Sequence, residues 1–190
     1  ALSCGAAAAA WFARLLGRPA ELVVMPEPSP RPVDPRFAGP GHRVGFADGY
    51  PVLVLSAAAV DELNRELAVP VGFDRFRPNL VVEGCPPHAE DGWRRIRAGG
   101  AVLELVKPCA RCPVVTVDQT TGVSSREPLA TLARTRRVGG KVLFGQNAVV
   151  LEPGRVRVGD PVEVLEARGL EGTGAEGEEV GDAFAFGGAA

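Results

Sequence analysis

Apolar positions along this chain come in short runs broken by proline and glycine, and only three stretches read as helical. Residues 4–16 are rich in alanine, with Trp11, Leu15 and Leu16 as an apolar face, Ser3 placed to cap the start and Gly17 to stop it. After Ser56, the positions Val60, Leu63 and Leu67 fall on one face and predict a second helix to about Leu67. Ser125 and Pro128 open a short third one through Leu132, since proline suits a first helical turn. Strands are predicted over 21–25, 80–83 and 148–151, and over 51–55, whose unbroken apolar run suggests burial on both faces. Residues 94–97 and 101–106 read as a hairpin around Gly99-Gly100, and 155–158 with 162–165 as a second pair around Gly159-Asp160-Pro161. Residues 26–41 carry six prolines and read as a loop, 46–50 as a turn, and 88–93 as a polar turn holding one large aromatic, Trp93. The sum is an α+β fold built on a β-barrel-like sheet with flanking helices.

Composition narrows the function more than the fold. A net charge of -2 gives no overall basic field, which argues against a nucleic-acid or anionic-membrane binder. No apolar run approaches the roughly 20 residues of a membrane span, and the alanine-rich start has no basic leader. Four cysteines in 190 residues make no disulfide framework, so reduced thiols and a cytoplasmic location are expected. From Gly169 the chain is Gly-, Ala- and Glu-rich, and residues 169–190 are expected to be a disordered tail.

The chemistry concentrates in Pro108-Cys109-Ala110-Arg111-Cys112-Pro113, followed by a β-branched strand and a polar turn, Asp118 to Gly122. A thiol beside a guanidinium suits a reactive thiolate or a soft metal ligand, because neighbouring positive charge favours thiolate over thiol. Half a zinc site or a redox pair would also use two thiols at this spacing. The chain has only His42 and His88 to complete a tetrahedral set, and no thioredoxin-type pattern surrounds the pair. Cys4 and Cys85 read as small buried groups, Trp93 and Phe144 as core, and Asp118 as the cap of its own turn.

Several blocks in register resemble MOSC domains. They are Phe76-Arg77-Pro78-Asn79-Leu80-Val81-Val82, Gly84-Cys85, Ala89-Glu90-Asp91-Gly92-Trp93, Cys109-Ala110-Arg111-Cys112 with Thr116-Val117-Asp118 and Thr121-Gly122, Arg126-Glu127-Pro128-Leu129, Leu143-Phe144-Gly145-Gln146 and Val158-Gly159-Asp160-Pro161-Val162. The family is named for the C-terminal domain of molybdenum cofactor sulfurase, and the closer likeness is to the mitochondrial amidoxime-reducing component and its bacterial relatives. It spans the chain to about residue 167, so a MOSC domain is expected over residues 1–168. The resemblance implies a molybdenum cofactor, a metal on a pterin ene-dithiolate, with Cys112 as the metal ligand and catalytic cysteine. It implies cofactor contacts at Arg77, Asn79, Ala110 and Arg111, at the turn Asp48-Gly49-Tyr50, and at Gln146 and Asn147. A guanidinium at Arg77 suits a phosphate and an amide at Asn79 suits a pterin edge. The implied activity is an oxidoreductase that removes oxygen from a small N-hydroxylated substrate, fed by a separate electron-donor protein. The alternative is a cofactor or sulfur carrier module, as in the sulfurase. Departures are expected too: the usual N-terminal β-rich domain is absent from this chain, Ala110 replaces a common serine, and Gln119 replaces a common proline. No pyridoxal phosphate is expected.

Overall fold

The computed structural model describes residues 1–27, 29 and 31–168, which fall into two units, Ala1–Tyr50 and a second beginning at Pro51. The tail expected over 169–190 lies outside the described residues. In the first unit, β1 (Leu2–Ser3) pairs antiparallel with β2 (Val23–Val24), so the strand expected over 21–25 shrinks to two residues. Helix α1 (Ala6–Leu16) starts after Gly5, whose φ of 93° breaks the helical path, and it ends at Gly17 in the left-handed conformation. Ser3 therefore does not cap the helix; its hydroxyl accepts from the Gly5 N–H at 3.1 Å. Cys4, expected to be buried, is exposed, because it lies in the link between β1 and α1. Within the proline-rich stretch a single turn of helix, α2 (Pro35–Ala38), forms where the Asp34 side chain accepts from the Arg36 N–H.

The second unit is a curled mixed sheet, a half-barrel, with a few helices. Its strands are β3 (Val52–Ser56), β4 (Leu80–Val82), β5 (Trp93–Ala98), β6 (Ala101–Ala110), β7 (Arg137–Val138), β8 (Lys141–Glu152) and β9 (Val162–Ala167). They lie in the order β4-β3-β8-β6-β5-β9, with β7 paired to β8; β3 and β4 are parallel and the other pairs antiparallel. Register shifts between β6 and β8 and between β5 and β9 bend the sheet. Gly145 provides a further bend inside β8. Its φ is 79°, and a Cβ there would stand 2.9 Å from the Val54 carbonyl oxygen.

Adjacent residues of β3 enter different cores, as alternation requires. Leu55 joins Val60, Leu63, Phe76, Val115, Leu132 and Phe144. Val54 joins Val82, Ile96, Leu103, Leu105 and Ala148, with Trp93 packed at the edge. Helix α3 (Ala57–Arg65) buries Ala59, Val60 and Leu63, the face that its spacing predicts. Helix α4 (Leu129–Thr135) buries Thr131 and Leu132.

Two expected strands do not form. After Cys112 the chain makes a 3-10 turn, Pro113–Thr116, because Pro113 lacks an N–H and the Thr116 hydroxyl folds back onto the Pro113 carbonyl at 2.7 Å. Residues 155–158 do not pair with 162–165; β9 pairs instead with β5. The segment before it is pressed onto the Gly99-Gly100 turn, where a Cβ on Gly154 would lie 2.0 Å from the Gly100 oxygen.

Candidate functional site

Cys112 is exposed, two residues beyond the end of β6, and begins the 3-10 turn. Its loop is held by arginines. The Arg111 N–H donates to the Val142 carbonyl at 2.7 Å, which fixes the chain leading into Cys112 against β8. The Arg111 guanidinium donates to the Phe76 carbonyl at 2.8 Å and to the Cys109 sulfur at 3.1 Å, and lies over the Phe76 ring at 5.5 Å. Its Nε is buried without a partner among the described residues. The thiol that receives this guanidinium is thus Cys109, while Cys112 is left to the surface.

A second bridge ties the same two segments. Arg75 donates to the Asp118 carboxylate at 2.8 Å and, at 3.4 Å, to the Val115 carbonyl. Asp118 caps its own turn, accepting from the Thr121 N–H and hydroxyl and from the Thr120 N–H. These bonds, the Thr121 pair first, hold its carboxyl below the usual range. The segment 73–77 is therefore locked to the Cys112 loop, and Arg77 leaves it exposed with a φ of 55°, a conformation that a non-glycine residue takes at some cost.

Asn79 sits beside Leu53, and the two act as a strand pair. The Asn79 N–H donates to the Leu53 carbonyl at 2.9 Å, and the Asn79 side-chain oxygen accepts from the Leu53 N–H at 2.8 Å. Leu53 in turn faces Asn147, and Asn147 faces Lys107. One row across four strand positions thus carries Asn79, Leu53, Asn147 and Lys107 on one face. Asn147 donates to the Pro108 carbonyl at 3.5 Å, two residues before Ala110. Ala110, opposite Leu143, closes β6 and is exposed.

Gln146 faces the other way. It is buried, donates to Asp91 at 2.6 Å, and lies 3.5 Å from the Arg168 guanidinium. Asp91 also accepts from Arg136. Arg168 donates to the Leu105 and Trp93 carbonyls, and burial holds its guanidinium below the ordinary arginine value. Next to this network, Glu90 is fully buried and accepts from the Ser56 N–H at 3.1 Å, while the Ser56 hydroxyl accepts from the His88 N–H. His88 Nε2 meets Glu62 at 3.0 Å. Burial, then the charge of Glu90, pushes the Cys85 thiol up, which suits an inert side chain.

Sequence reasoning sees residues 88–93 as a polar turn with one large aromatic and misses this partly buried cluster. The available signal is two adjacent acids, Glu90 and Asp91, between predicted strands with Trp93 beside them. Arg136 and Arg168 come from distant segments, and no local pattern marks them.

The turn Asp48-Gly49-Tyr50 belongs to the first unit. Arg31 pins it by donating to the Asp48 carbonyl at 3.1 Å and to the Gly45 carbonyl. Burial, followed by the charge of Asp34, pushes the Tyr50 hydroxyl up.

The chain is 39% identical over 175 residues to mitochondrial amidoxime-reducing component 1 of Homo sapiens, covering 85% of this chain and 52% of the relative. It is 34% identical over 152 residues to molybdenum cofactor sulfurase of Oryza sativa subsp. japonica, covering 71% of this chain and 18% of the relative. The chain thus spans about half the length of the curated amidoxime-reducing relatives it matches. Among solved structures, YiiM from Geobacillus stearothermophilus superposes with a TM-score of 0.46 at 18% identity, covering 62% of this chain and 55% of that one. No described helix is long and apolar enough to cross a membrane. A family profile described as MOSC domain matches residues 41–163, most of the chain, and the chain belongs to the MOSC domain family.

Proposed function

We propose that this domain holds a molybdenum cofactor, with Cys112 as the protein's sulfur ligand, and serves an oxidoreductase that removes oxygen from small N-hydroxylated compounds. The observation that carries the reading is Cys112 itself: an exposed thiol on a loop braced from both sides by Arg111 and Arg75, on the segment that also presents Arg77. The residues fit such a group. A thiol is a soft donor suited to a metal already bound by sulfur, and Arg77 is an exposed guanidinium suited to a phosphate. When bound, the cofactor supplies two-electron oxygen-transfer chemistry.

The chain's own part is positioning. Arg111 fixes the backbone that presents Cys112, Asn79 and Asn147 offer amides on one sheet face, and Ala110 leaves only its backbone for a contact where a serine would add a hydroxyl. Gln146 supports β8 from beneath through Asp91. A separate electron-donor protein completes the cycle, and the four free thiols support a reducing compartment such as the cytoplasm.

The test is metal and pterin content of protein purified from cells that make the cofactor, wild type beside Cys112→Ser. Near-stoichiometric molybdenum in the wild type, lost or re-coordinated in the variant, with reduction of an amidoxime by the wild type, supports the reading. Full activity in Cys112→Ser sinks the ligand assignment. The exposure of Cys112, together with the sulfurase relative, favours a second reading, a sulfur carrier. A persulfide on Cys112 with no turnover of N-hydroxylated compounds would select it.

A further inference from the structure

The hairpin formed by β7 and β8 stands beside the Cys112 loop and carries a charge pattern that the site itself does not use. Arg137 and Lys141 are exposed there and Arg134 is exposed on the neighbouring helix α4, while Arg136 is taken up by Asp91. Arg137 and Lys141 have no ion-pair partner among the described residues. Arg134 meets Glu66 only at 3.9 Å, with both side chains more than half exposed, so that pair neutralises little. Of the acids in the adjoining segments, Glu127 has a carboxylate oxygen accepting from the Thr131 N–H, and Asp118 is paired with Arg75.

Strand pairing places this patch against the site. Arg137 pairs with Val142 on one edge of β8, and the Arg111 N–H bonds the Val142 carbonyl on the other. Two strand spacings, about 10 Å, therefore separate the hairpin from the chain that leads into Cys112. Helix α4 packs against β7, β8 and the 3-10 turn, joining the two parts. Val138, within the hairpin itself, is 37% exposed. The chain as a whole carries a net charge of -2, so this basic face stands out against an acidic average and would orient an approaching partner.

We propose that this face docks an acidic one-electron carrier protein. The inference rests on the reductase reading. Conversion of an N–OH group to N–H with release of water takes up two electrons and two protons; the carrier supplies the electrons one at a time, and solvent the protons.

The test uses the full chain and does not require turnover. Binding is titrated at low and high salt with two purified carriers of opposite sign, an acidic plant-type [2Fe–2S] ferredoxin and a basic cytochrome c. The wild type is expected to bind the acidic carrier alone, with affinity falling steeply as salt rises. Arg137→Glu with Lys141→Glu should weaken it at least about tenfold. Arg155→Glu with Arg157→Glu makes the same change in net charge on exposed residues after the far end of β8, and should weaken it less than about twofold. Equal losses in the two double variants, equal binding of the basic carrier, or tighter binding of duplex DNA than of ferredoxin overturns the proposal. A melting curve for each variant checks the fold, and Arg137→Gln with Lys141→Gln should give an intermediate loss. Amidoxime reduction by wild type with a chemically reduced viologen dye tests the reductase reading separately: absence of that activity sinks the enzyme, whereas activity without carrier binding sinks only the docking face.

Discussion

Two regions of the second unit use arginine in different ways. Around Asp91, Arg136 meets a carboxylate that also receives Gln146, and Arg168 fills its donors with backbone carbonyls, all with little exposure. Around Cys112, Arg111 is held by a neutral carbonyl, a thiol and the Phe76 ring, and Arg77 points into solvent. Burying a cation is costly unless it is paired, and an acid satisfies it. Arg168, though its donors go to carbonyls, also feels the charge of Asp91, whereas Arg111 is held by neutral acceptors. The first arrangement builds a scaffold; the second leaves an exposed guanidinium, Arg77, and an exposed thiol, Cys112.

Substitutions can break this comparison. The largest effect is expected from Cys112→Ser, which should abolish bound molybdenum while leaving the melting temperature within about a degree, since an exposed side chain contributes little packing. Asp91→Ala should do the reverse. It strands Arg136 and Gln146 and should cost about 1–3 kcal/mol in a urea titration, the usual result of leaving partly buried polar groups without their partner. Gly145→Ala adds a Cβ at positive φ close to the Val54 carbonyl, and about 1–3 kcal/mol of destabilisation is expected from the same titration. Little change there would mean that β8 can relax without its bend. Arg111→Lys keeps the charge but loses the fork that spans Phe76 and Cys109, so about 1 kcal/mol of stability and severalfold of cofactor affinity should go together.

The smallest effect sharpens the picture by pH. Burial holds the His88 imidazole below its ordinary value, reinforced by the Arg136 charge and opposed by Asp91, Glu90 and Glu62. A folded-state value below the unfolded one means that the unfolded chain binds the proton first as pH falls. The stability tied to neutral His88 is therefore complete above about 6.5 and declines as pH drops from there toward the folded value. Melting temperatures at pH 7.5 and 5.5 should differ less in His88→Phe than in the wild type. An unchanged difference would place the pH response elsewhere.

The fold and the site were legible to different degrees. The apolar run 51–55, the helix after Ser56 and the Gly99-Gly100 hairpin could be read because apolar runs, helical period and turn chemistry are local. Ser56 shows the limit of that reading. It stands at the start of α3, yet its hydroxyl serves the His88 N–H and its own N–H serves Glu90. The β-branched residues after Cys112 favour a strand by propensity, and Pro113 with the Thr116 back-bond overrode it.

By itself, then, the sequence determined an α+β chain with a thiol motif at residues 109–112, and its motif order resembled the MOSC family to which it belongs. The thiol motif is contiguous and can be read directly from the chain, and the family enters through the resemblance of the motif blocks in their order. Only the tertiary structure decided which arginines are neutralised, that Gln146 turns inward while Asn147 turns to the face of Asn79, that β9 pairs with β5, and that a basic hairpin stands beside Cys112. Each of these depends on partners tens of residues apart, brought together by strand register. Register follows from burial on both faces of the sheet, which no single segment specifies alone.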